Sequence, residues 1–201
     1  MSPAGIILCG GQSSRMERPK AWLPFGDELM LQRVVRILRE LCAPIVVVAA
    51  PGQDVPPLPT DVLVVRDQEK GRGPLEGLAA GLAAIRGKAE AAYASSCDVP
   101  FLKPAFVRRV ADLRGEYAIC VPKVGGYHQP LAAVYHVSVL SSVRRLLAEN
   151  ERRPLSLFDI VPMRVVEAHE LVEVDPEFWS LRNVNTPAEY ESALKELNSR
   201  R

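Results

Sequence analysis

Short apolar segments alternate with amphipathic segments along most of this chain. Six runs rich in Val, Ile, Ala and Leu predict β-strands over residues 4–9, 44–50, 61–65, 91–97, 117–122 and 131–135. Continuous apolar runs, as opposed to alternating ones, are typical of strands covered on both faces. Between them, apolar residues at helical spacing predict helices over residues 30–41, 75–85, 104–113, 137–149 and 187–197.

This alternation predicts an α/β fold, in which a mostly parallel sheet carries helices on both faces as three layers. Residues 52–60 are rich in proline and predict a stiff surface loop. Residues 151–174 have the least regular pattern, and we expect a small β excursion there. Without a repeat or a clear linker, residues 1–201 predict a single domain.

The composition of the chain limits the kinds of molecule that it is expected to bind. Lys and Arg number 25 against 24 Asp and Glu, for a formal net charge of +1. That balance argues against nucleic-acid wrapping and against a polybasic membrane anchor, so an anionic ligand would need a local cluster of charges. The four cysteines have neither zinc nor redox-pair spacing, which favours reduced, mostly buried thiols. We expect a cytoplasmic location, because residues 4–9 lack the basic flank and length of an export signal.

The first predicted strand ends in a pair of glycines that could bind phosphate. Gly10 and Gly11 let backbone N–H groups approach an anion without interference from a Cβ atom. Arg15, Arg18 and Lys20 follow and supply positive charge. The alternative is an ordinary tight turn beside a solvated basic patch, but the added cations favour phosphate binding. The spacing matches neither a dinucleotide fingerprint nor a P-loop.

The fourth predicted strand ends at Asp98. If this strand lies beside the first, Asp98 faces the glycine loop at the carboxyl edge of the sheet. A carboxylate there, close to a triphosphate, is a common means of holding Mg²⁺. Because Pro100 and Pro104 follow, a turn or helix-capping aspartate is the equal alternative.

The third predicted strand leads into a second glycine-rich segment. Asp67 ends the strand, and residues 71–77 follow, with Lys70 and Arg72 close by. Such a segment could fold over a nucleotide, although a flexible loop is a serious alternative.

Asparagines precede the last predicted helix. Thr186 before Pro187, with Glu189 three positions after Thr186, predicts a capping box at the start of that helix. The cap requires neither Asn183 nor Asn185, which leaves both available for another role.

These motifs together resemble a known family. In chain order they are Gly10-Gly11, Arg15-Met16, Pro19-Lys20, Gly73-Pro74-Leu75 with Gly77, Cys97-Asp98-Val99-Pro100-Phe101, Gln129-Pro130-Leu131 and Asn183-Val184-Asn185-Thr186-Pro187. The set resembles the molybdenum cofactor guanylyltransferases, within the nucleotidyltransferase superfamily that has a Rossmann-like fold. The resemblance covers almost the whole chain.

The resemblance implies transfer of GMP from GTP to molybdopterin or its molybdenum-loaded form, with Mg²⁺ as cofactor and pyrophosphate as second product. It also implies transient contact with proteins of cofactor biosynthesis or molybdoenzyme maturation. By motif position, Leu8, Cys9, Gly10 and Gly11 would bind the nucleotide. Arg15 and Lys20 would hold phosphates, Asp67 would contact the nucleoside, and Asp98 would bind the metal. Asn183 and Asn185 would lie on the pterin side.

Two departures from the family pattern bear on base specificity. Glu17 stands where the family usually has glycine, and Ala49-Ala50-Pro51 stands where an asparagine is common. A base contact from the latter segment would have to come from backbone. The alternatives are a cytidylyltransferase or sugar-phosphate nucleotidyltransferase of the same fold, and a non-catalytic nucleotide-binding adaptor.

Overall fold

The computed structural model describes residues 2–10, 16, 18–67 and 73–200. These residues form a main sheet of eight strands and a second sheet of two. The strands are β1 Ala4–Leu8, β2 Pro24–Phe25, β3 Glu28–Leu29, β4 Ile45–Ala49, β5 Leu63–Arg66, β6 Ala91–Ser96, β7 Ile119–Val124, β8 Tyr127–His128, β9 Ala132–His136 and β10 Met163–Glu167. The α-helices are α1 Met30–Arg39, α2 Pro74–Ile85, α3 Pro104–Asp112, α4 Leu140–Ala148 and α5 Pro187–Ser199.

The order of the main sheet is β10-β7-β9-β6-β1-β4-β5, with β8 paired to β7. Strand β1 is parallel to both of its neighbours, β6 and β4. Strand β9 is antiparallel to β6 and to β7, so the sheet is mixed but mostly parallel. The predicted adjacency of the first and fourth strands is confirmed. The chain leaves β1 toward β4 and returns to its other side with β6, which makes the carboxyl end of β1 a switch point in strand order.

Helices cover both faces of the sheet, as predicted. Ile7 and Tyr93 pack on one face in a core that includes residues of α1 and α3. Ile6 and Leu8 point to the other face, where α2 and α4 contribute to a second core. Alternate residues of β1 therefore enter opposite cores, which explains why the whole strand is apolar.

A third apolar cluster lies away from these two cores and includes α5. Its buried members are Met16, Leu23, Phe25, Met30, Phe101, Val184, Ala193 and Leu197. The capping box at the start of α5 is confirmed: Thr186 Oγ1 accepts the Glu189 N–H at 3.2 Å, and Glu189 Oε2 accepts the Thr186 N–H at 3.0 Å. Packing and capping together fix the segment that precedes α5.

The irregular region after α4 contains one strand of the main sheet. Strand β10 pairs parallel with β7, with Val165 opposite Val121. The expected β excursion is therefore an edge of the principal sheet. Residues 52–60 lack helix and strand, in agreement with the predicted loop. Across the described residues, none of the helices combines the length and apolar character that crossing a membrane requires.

Candidate active site

The carboxyl end of β1 lies between two strands that bring polar groups to it. Cys9 donates its backbone N–H to Val48 O at 2.8 Å, which keeps the chain close to β4 beyond the last residue of β1. A Cβ atom on Gly10 would lie 3.3 Å from both Ala50 N and Asp67 Oδ2. Such contacts are tighter than most, so glycine at this position keeps the backbone close to the Asp67 carboxylate.

Part of the predicted phosphate loop lies outside the described residues. Gly11, Arg15 and Glu17 belong to that part. Lys70 and Arg72, in the second glycine-rich segment, also lie outside the described residues. The roles expected for these residues therefore stay predictions from the sequence. Leu8, Cys9 and Gly10 are described, and Leu8 and Cys9 are buried.

Lys20 and Asp98 form the centre of the site. The Lys20 Nζ atom lies 2.7 Å from Asp98 Oδ2 and 2.6 Å from Asn185 Oδ1. The side chains of Lys20 and Asp98 are 17% and 10% exposed, so water screens this ion pair only in part. Asp98 comes two residues after the end of β6, and Lys20 begins a 3-10 turn, Lys20–Trp22. Chain segments far apart in sequence thus place opposite charges at one edge of the sheet.

Asn183 holds the other oxygen of the same carboxylate. Its Nδ2 atom donates to Asp98 Oδ1 at 2.8 Å, and the Val184 N–H donates to the Asp98 carbonyl at 2.9 Å. The structure therefore brings Lys20, Asp98, Asn183 and Asn185 into one hydrogen-bonded cluster. Both asparagines touch the charged centre directly, a closer placement than the sequence suggested.

Ser96 is a member of this cluster that the sequence analysis missed. Its hydroxyl donates to Asp98 Oδ1 at 2.5 Å and accepts from Asn183 Nδ2 at 3.3 Å. Ser96 is the last residue of β6 and Asp98 lies in the turn that follows, so the period of a strand does not predict this contact. Serine orients the carboxylate without adding charge.

Asp67 occupies an electrostatically unfavourable position near Gly10. Burial raises the pKa of Asp67 to about 6, and the charge of Glu76 adds to this shift. Its Oδ1 atom is buried and has no hydrogen-bond partner among the described residues. Glu76 is itself only 6% exposed, so two carboxylates share a poorly solvated region. A ligand that donates hydrogen bonds to Asp67 would relieve part of this cost.

Gln53 connects the ends of β1 and β4 and was also missed. Its Oε1 atom accepts the Ala50 N–H at 3.0 Å, and its Nε2 atom donates to Cys9 O at 3.0 Å. The Ala50 carbonyl accepts hydrogen bonds from the Gln53 N–H and from Arg66 Nη1, each at 3.1 Å. Both backbone polar groups of Ala50 are therefore engaged within the protein, which limits the backbone contact expected there for a base.

Cys9 and Cys97, although distant in sequence, lie together at this edge. Hydrogen bonding with the Cys97 side chain lowers the pKa of Cys9, against the effect of burial. The same bond and burial raise the pKa of Cys97. All four cysteines are free and buried, in agreement with the expectation of reduced thiols.

The cluster around Asp98 suits a hard divalent cation bound together with phosphate. Within the described ranges, there is no group of three or more His, Cys, Asp and Glu side chains that could hold a metal alone. Mg²⁺ commonly takes one or two protein carboxylates and completes its shell with phosphate oxygens and water. The carboxylate of Asp98 accepts three hydrogen bonds from side chains, and a carboxylate has about four acceptor positions. The donor set fits a metal that arrives with a nucleotide.

Comparison with known proteins identifies the family of this chain. The family described as the MobA-like NTP transferase domain matches residues 5–162, and that match spans the strands and loops of the site up to Asp98. The chain belongs to this family. A relative from Mycobacterium avium (strain 104), named a probable molybdenum cofactor guanylyltransferase, is 36% identical over 194 residues, which are 94% of this chain and 93% of the relative.

Solved structures of similar fold extend the comparison of this MobA-like chain. The molybdopterin-guanine dinucleotide biosynthesis protein A from Archaeoglobus fulgidus superposes with a TM-score of 0.80 at 20% identity, covering 98% of this chain and 99% of that protein. A manganese complex of Rv0371c from Mycobacterium tuberculosis H37Rv has a TM-score of 0.66 at 18% identity, covering 97% and 99%. At these identities the likeness establishes the α/β fold of the MobA-like chain.

Proposed function

We propose that this MobA-like nucleotidyltransferase transfers GMP from GTP to molybdopterin or the molybdenum cofactor, forming the guanine dinucleotide cofactor and pyrophosphate. The observation that carries the proposal is the 36% identity over 94% of the chain to a relative named for this activity. The cluster of Lys20, Asp98, Asn183 and Asn185 supports it, because positive charge, a carboxylate and neutral amides meet where a triphosphate would lie.

Each end of the proposed nucleotide site has its own residues. Leu8, Cys9 and Gly10 would contact the guanine and ribose at the end of β1. Gly11 would also bind the nucleotide, and Asp67 would contact the nucleoside. The raised pKa of Asp67, about 6, fits a carboxyl that gains a hydrogen-bond donor when nucleoside binds. Lys20 and Arg15 would bind the phosphates. Asn183 and Asn185 would face the acceptor.

We further propose that Asp98 holds Mg²⁺ when the nucleotide is bound. The metal would neutralise charge on the phosphate oxygens and so favour transfer of the α-phosphoryl group. The hydrogen bonds from Ser96 and Asn183 fix the orientation of the Asp98 carboxylate for this role. A protein of similar fold has been crystallised with manganese, which supports a divalent cation in general.

The reaction needs no general base from the protein. The terminal phosphate of the acceptor is already anionic at neutral pH, since the second pKa of a phosphomonoester is about 6. Its oxygen bonds to the α-phosphorus of GTP, while the bond from that phosphorus to the bridging oxygen breaks and pyrophosphate leaves. Lys20 contributes fixed positive charge, and the asparagines position neighbouring groups by hydrogen bonding.

Pyrophosphate release is the direct test. Purified protein, Mg²⁺ and molybdopterin are combined with GTP, CTP, ATP or UTP in separate reactions. We expect release that requires both GTP and molybdopterin. Faster release with CTP would replace the guanylyl assignment with a cytidylyl one. Tight GTP binding without release under any of these conditions would point to a non-catalytic adaptor.

A further inference from the structure

Cys9 and Cys97 extend two paired strands at the edge that carries the proposed site. One position earlier, Leu8 of β1 lies opposite Ser96 of β6 in parallel register. The pairing continues, because the Cys97 N–H donates to Leu8 O at 3.1 Å. Both side chains enter the same apolar core, on the face that also receives Ile7 and Tyr93. The two thiols are therefore lateral neighbours on one face of the sheet.

The spacing of paired strands suits a covalent bond between these cysteines. Neighbouring strands lie about 4.7–4.9 Å apart, and the Cα atoms of disulfide-bonded cysteines are usually about 4.4–6.8 Å apart. Little movement of the backbone is needed.

The other two cysteines have no such neighbour. Cys120 is in β7, and β9 separates β7 from β6. Cys42 lies near Gly5, at the opposite end of β1 from Cys9. Cys9 and Cys97 each retain 6% exposure, Cys42 retains 4% and Cys120 has none, so the proximity of Cys9 and Cys97, more than their exposure, sets the pair apart.

We propose that Cys9 and Cys97 form a modification site at which a peroxide converts the two thiols to a disulfide and thereby weakens nucleotide binding. One sulfur attacks a peroxide oxygen, the O–O bond breaks, and a sulfenic acid and water form. The second sulfur then attacks the sulfenic sulfur, the S–O bond breaks, and a second water leaves. Two thiols lose two electrons and two protons, and hydrogen peroxide is reduced to two waters.

The bond would alter both sides of the proposed nucleotide site. Gln53 Nε2 lies 3.5 Å from Cys9 Sγ and donates to the Cys9 carbonyl at 3.0 Å, so movement of Cys9 changes the contact that joins β1 to β4. Cys97 immediately precedes Asp98, whose carboxylate contacts Lys20 and Asn183. A covalent link therefore couples the position of Gly10 to that of Asp98.

Disulfide mapping tests the modification without reference to function. The full chain is treated with hydrogen peroxide, free thiols are alkylated, and peptides are analysed by mass spectrometry with and without reduction. We expect a peptide pair joined through Cys9 and Cys97. The variant Cys97→Ser should lose this pair, while Cys120→Ser and Cys42→Ser should retain it. The proposal would be overturned if Cys9 and Cys97 were both still alkylated after peroxide treatment of the wild-type protein, as they are in untreated protein.

The effect on binding rests on the proposed function and is measured separately. Calorimetry with GTP and Mg²⁺ should show affinity about tenfold weaker after oxidation, equivalent to about 1.4 kcal/mol, with recovery after dithiothreitol. Oxidised wild-type protein that binds GTP as tightly as reduced protein would overturn the link to the site. If reduced protein does not bind GTP at all, the proposed function fails while the disulfide result stands.

Discussion

Lys20 Nζ lies 2.7 Å from Asp98 Oδ2, across 78 positions of sequence. Each charge compensates the other in a part of the protein where solvent screening is incomplete. In the proposed function, a bound triphosphate and its cation would offer the same two side chains new partners of opposite charge. The pair would then exchange partners when the nucleotide binds, without leaving a buried charge alone.

The charge of Lys20 should matter chiefly for binding. We expect Lys20→Met to weaken the affinity for GTP by about 2–5 kcal/mol, because truncating one member of a largely buried charged pair removes more than a surface contact. Isothermal titration calorimetry in the presence of Mg²⁺ measures the loss. Lys88→Met is the matched control, since Lys88 is exposed before β6 at the opposite edge of the sheet. Equal affinities for the two variants would contradict a phosphate-binding role for Lys20.

Replacement of Asp98 should affect turnover more than folding. Asp98→Asn keeps the size of the side chain but removes the charge proposed to hold Mg²⁺, so we expect turnover to become undetectable. Circular dichroism should show the same secondary structure as wild type. Asp112→Asn, at an exposed position of α3, provides the same chemical change away from the site. A rate near that of wild type, with the same dependence on Mg²⁺, would exclude Asp98 as the metal ligand.

Asp67 should make stability depend on pH. Its pKa is raised from 3.8 to about 6 in the folded protein, so the native state holds this proton more tightly than the unfolded state does. The contribution of Asp67 to the free energy of unfolding is fully present below pH 3.8 and is lost as the pH rises through about 6. At neutral pH we expect Asp67→Asn to exceed wild type in free energy of unfolding by about 1–2 kcal/mol, after allowance for solvent screening.

Urea unfolding of both proteins between about pH 4 and pH 7 measures this difference. The advantage of Asp67→Asn should grow with pH across that interval. Glu76→Gln removes the neighbouring charge and should move the loss of stability to lower pH. A difference between Asp67→Asn and wild type that stays constant over this interval would contradict the raised pKa.

Close packing of α2 on β1 predicts an unusual effect of alanine. A Cβ atom on Gly81 would lie 2.5 Å from Ile6 Cγ2, an impossible contact without movement. Alanine favours helix by about 1 kcal/mol over glycine, but overpacking costs about 1–3 kcal/mol, so we expect Gly81→Ala to lower the free energy of unfolding. In Gly77→Ala the nearest atom, Leu8 Cδ2, is 3.0 Å away at the end of a flexible side chain. Chemical denaturation should rank Gly81→Ala as the less stable variant, and the reverse order would refute the packing argument.

The layers of the fold could be predicted because they depend on local patterns. Uninterrupted apolar runs predicted strands that are covered by other elements on both faces of the sheet. The spacing of apolar residues in α1 predicted a helix with one apolar stripe facing the core. The adjacency of β1 and β6 followed from the common strand order of doubly wound sheets. Thr186 and Glu189 predicted the start of α5, because a capping box involves residues only three positions apart.

The contacts that finish the site could not be predicted in the same way. Ser96, Gln53 and the pairing of Cys9 with Cys97 depend on register between strands and on loop geometry. Sequence spacing contains neither. Gln53 comes from a loop that the proline pattern identified only as a surface excursion. The strand-end position identified Asp98, and the resemblance added roles for Asn183 and Asn185. Their hydrogen bonding depends on how the segment that precedes α5 packs in the third apolar cluster.

The contact between Lys20 and Asn185 spans 165 positions of sequence. During synthesis, Lys20 and Asp98 leave the ribosome before Asn183 and Asn185, so the amide partners of this ion pair are made last. The hydrogen-bonded cluster can be completed only when the segment that precedes α5 has been translated and packed against Asp98. Growing chains and prematurely terminated products that lack this segment therefore leave Lys20 and Asp98 without their amide partners.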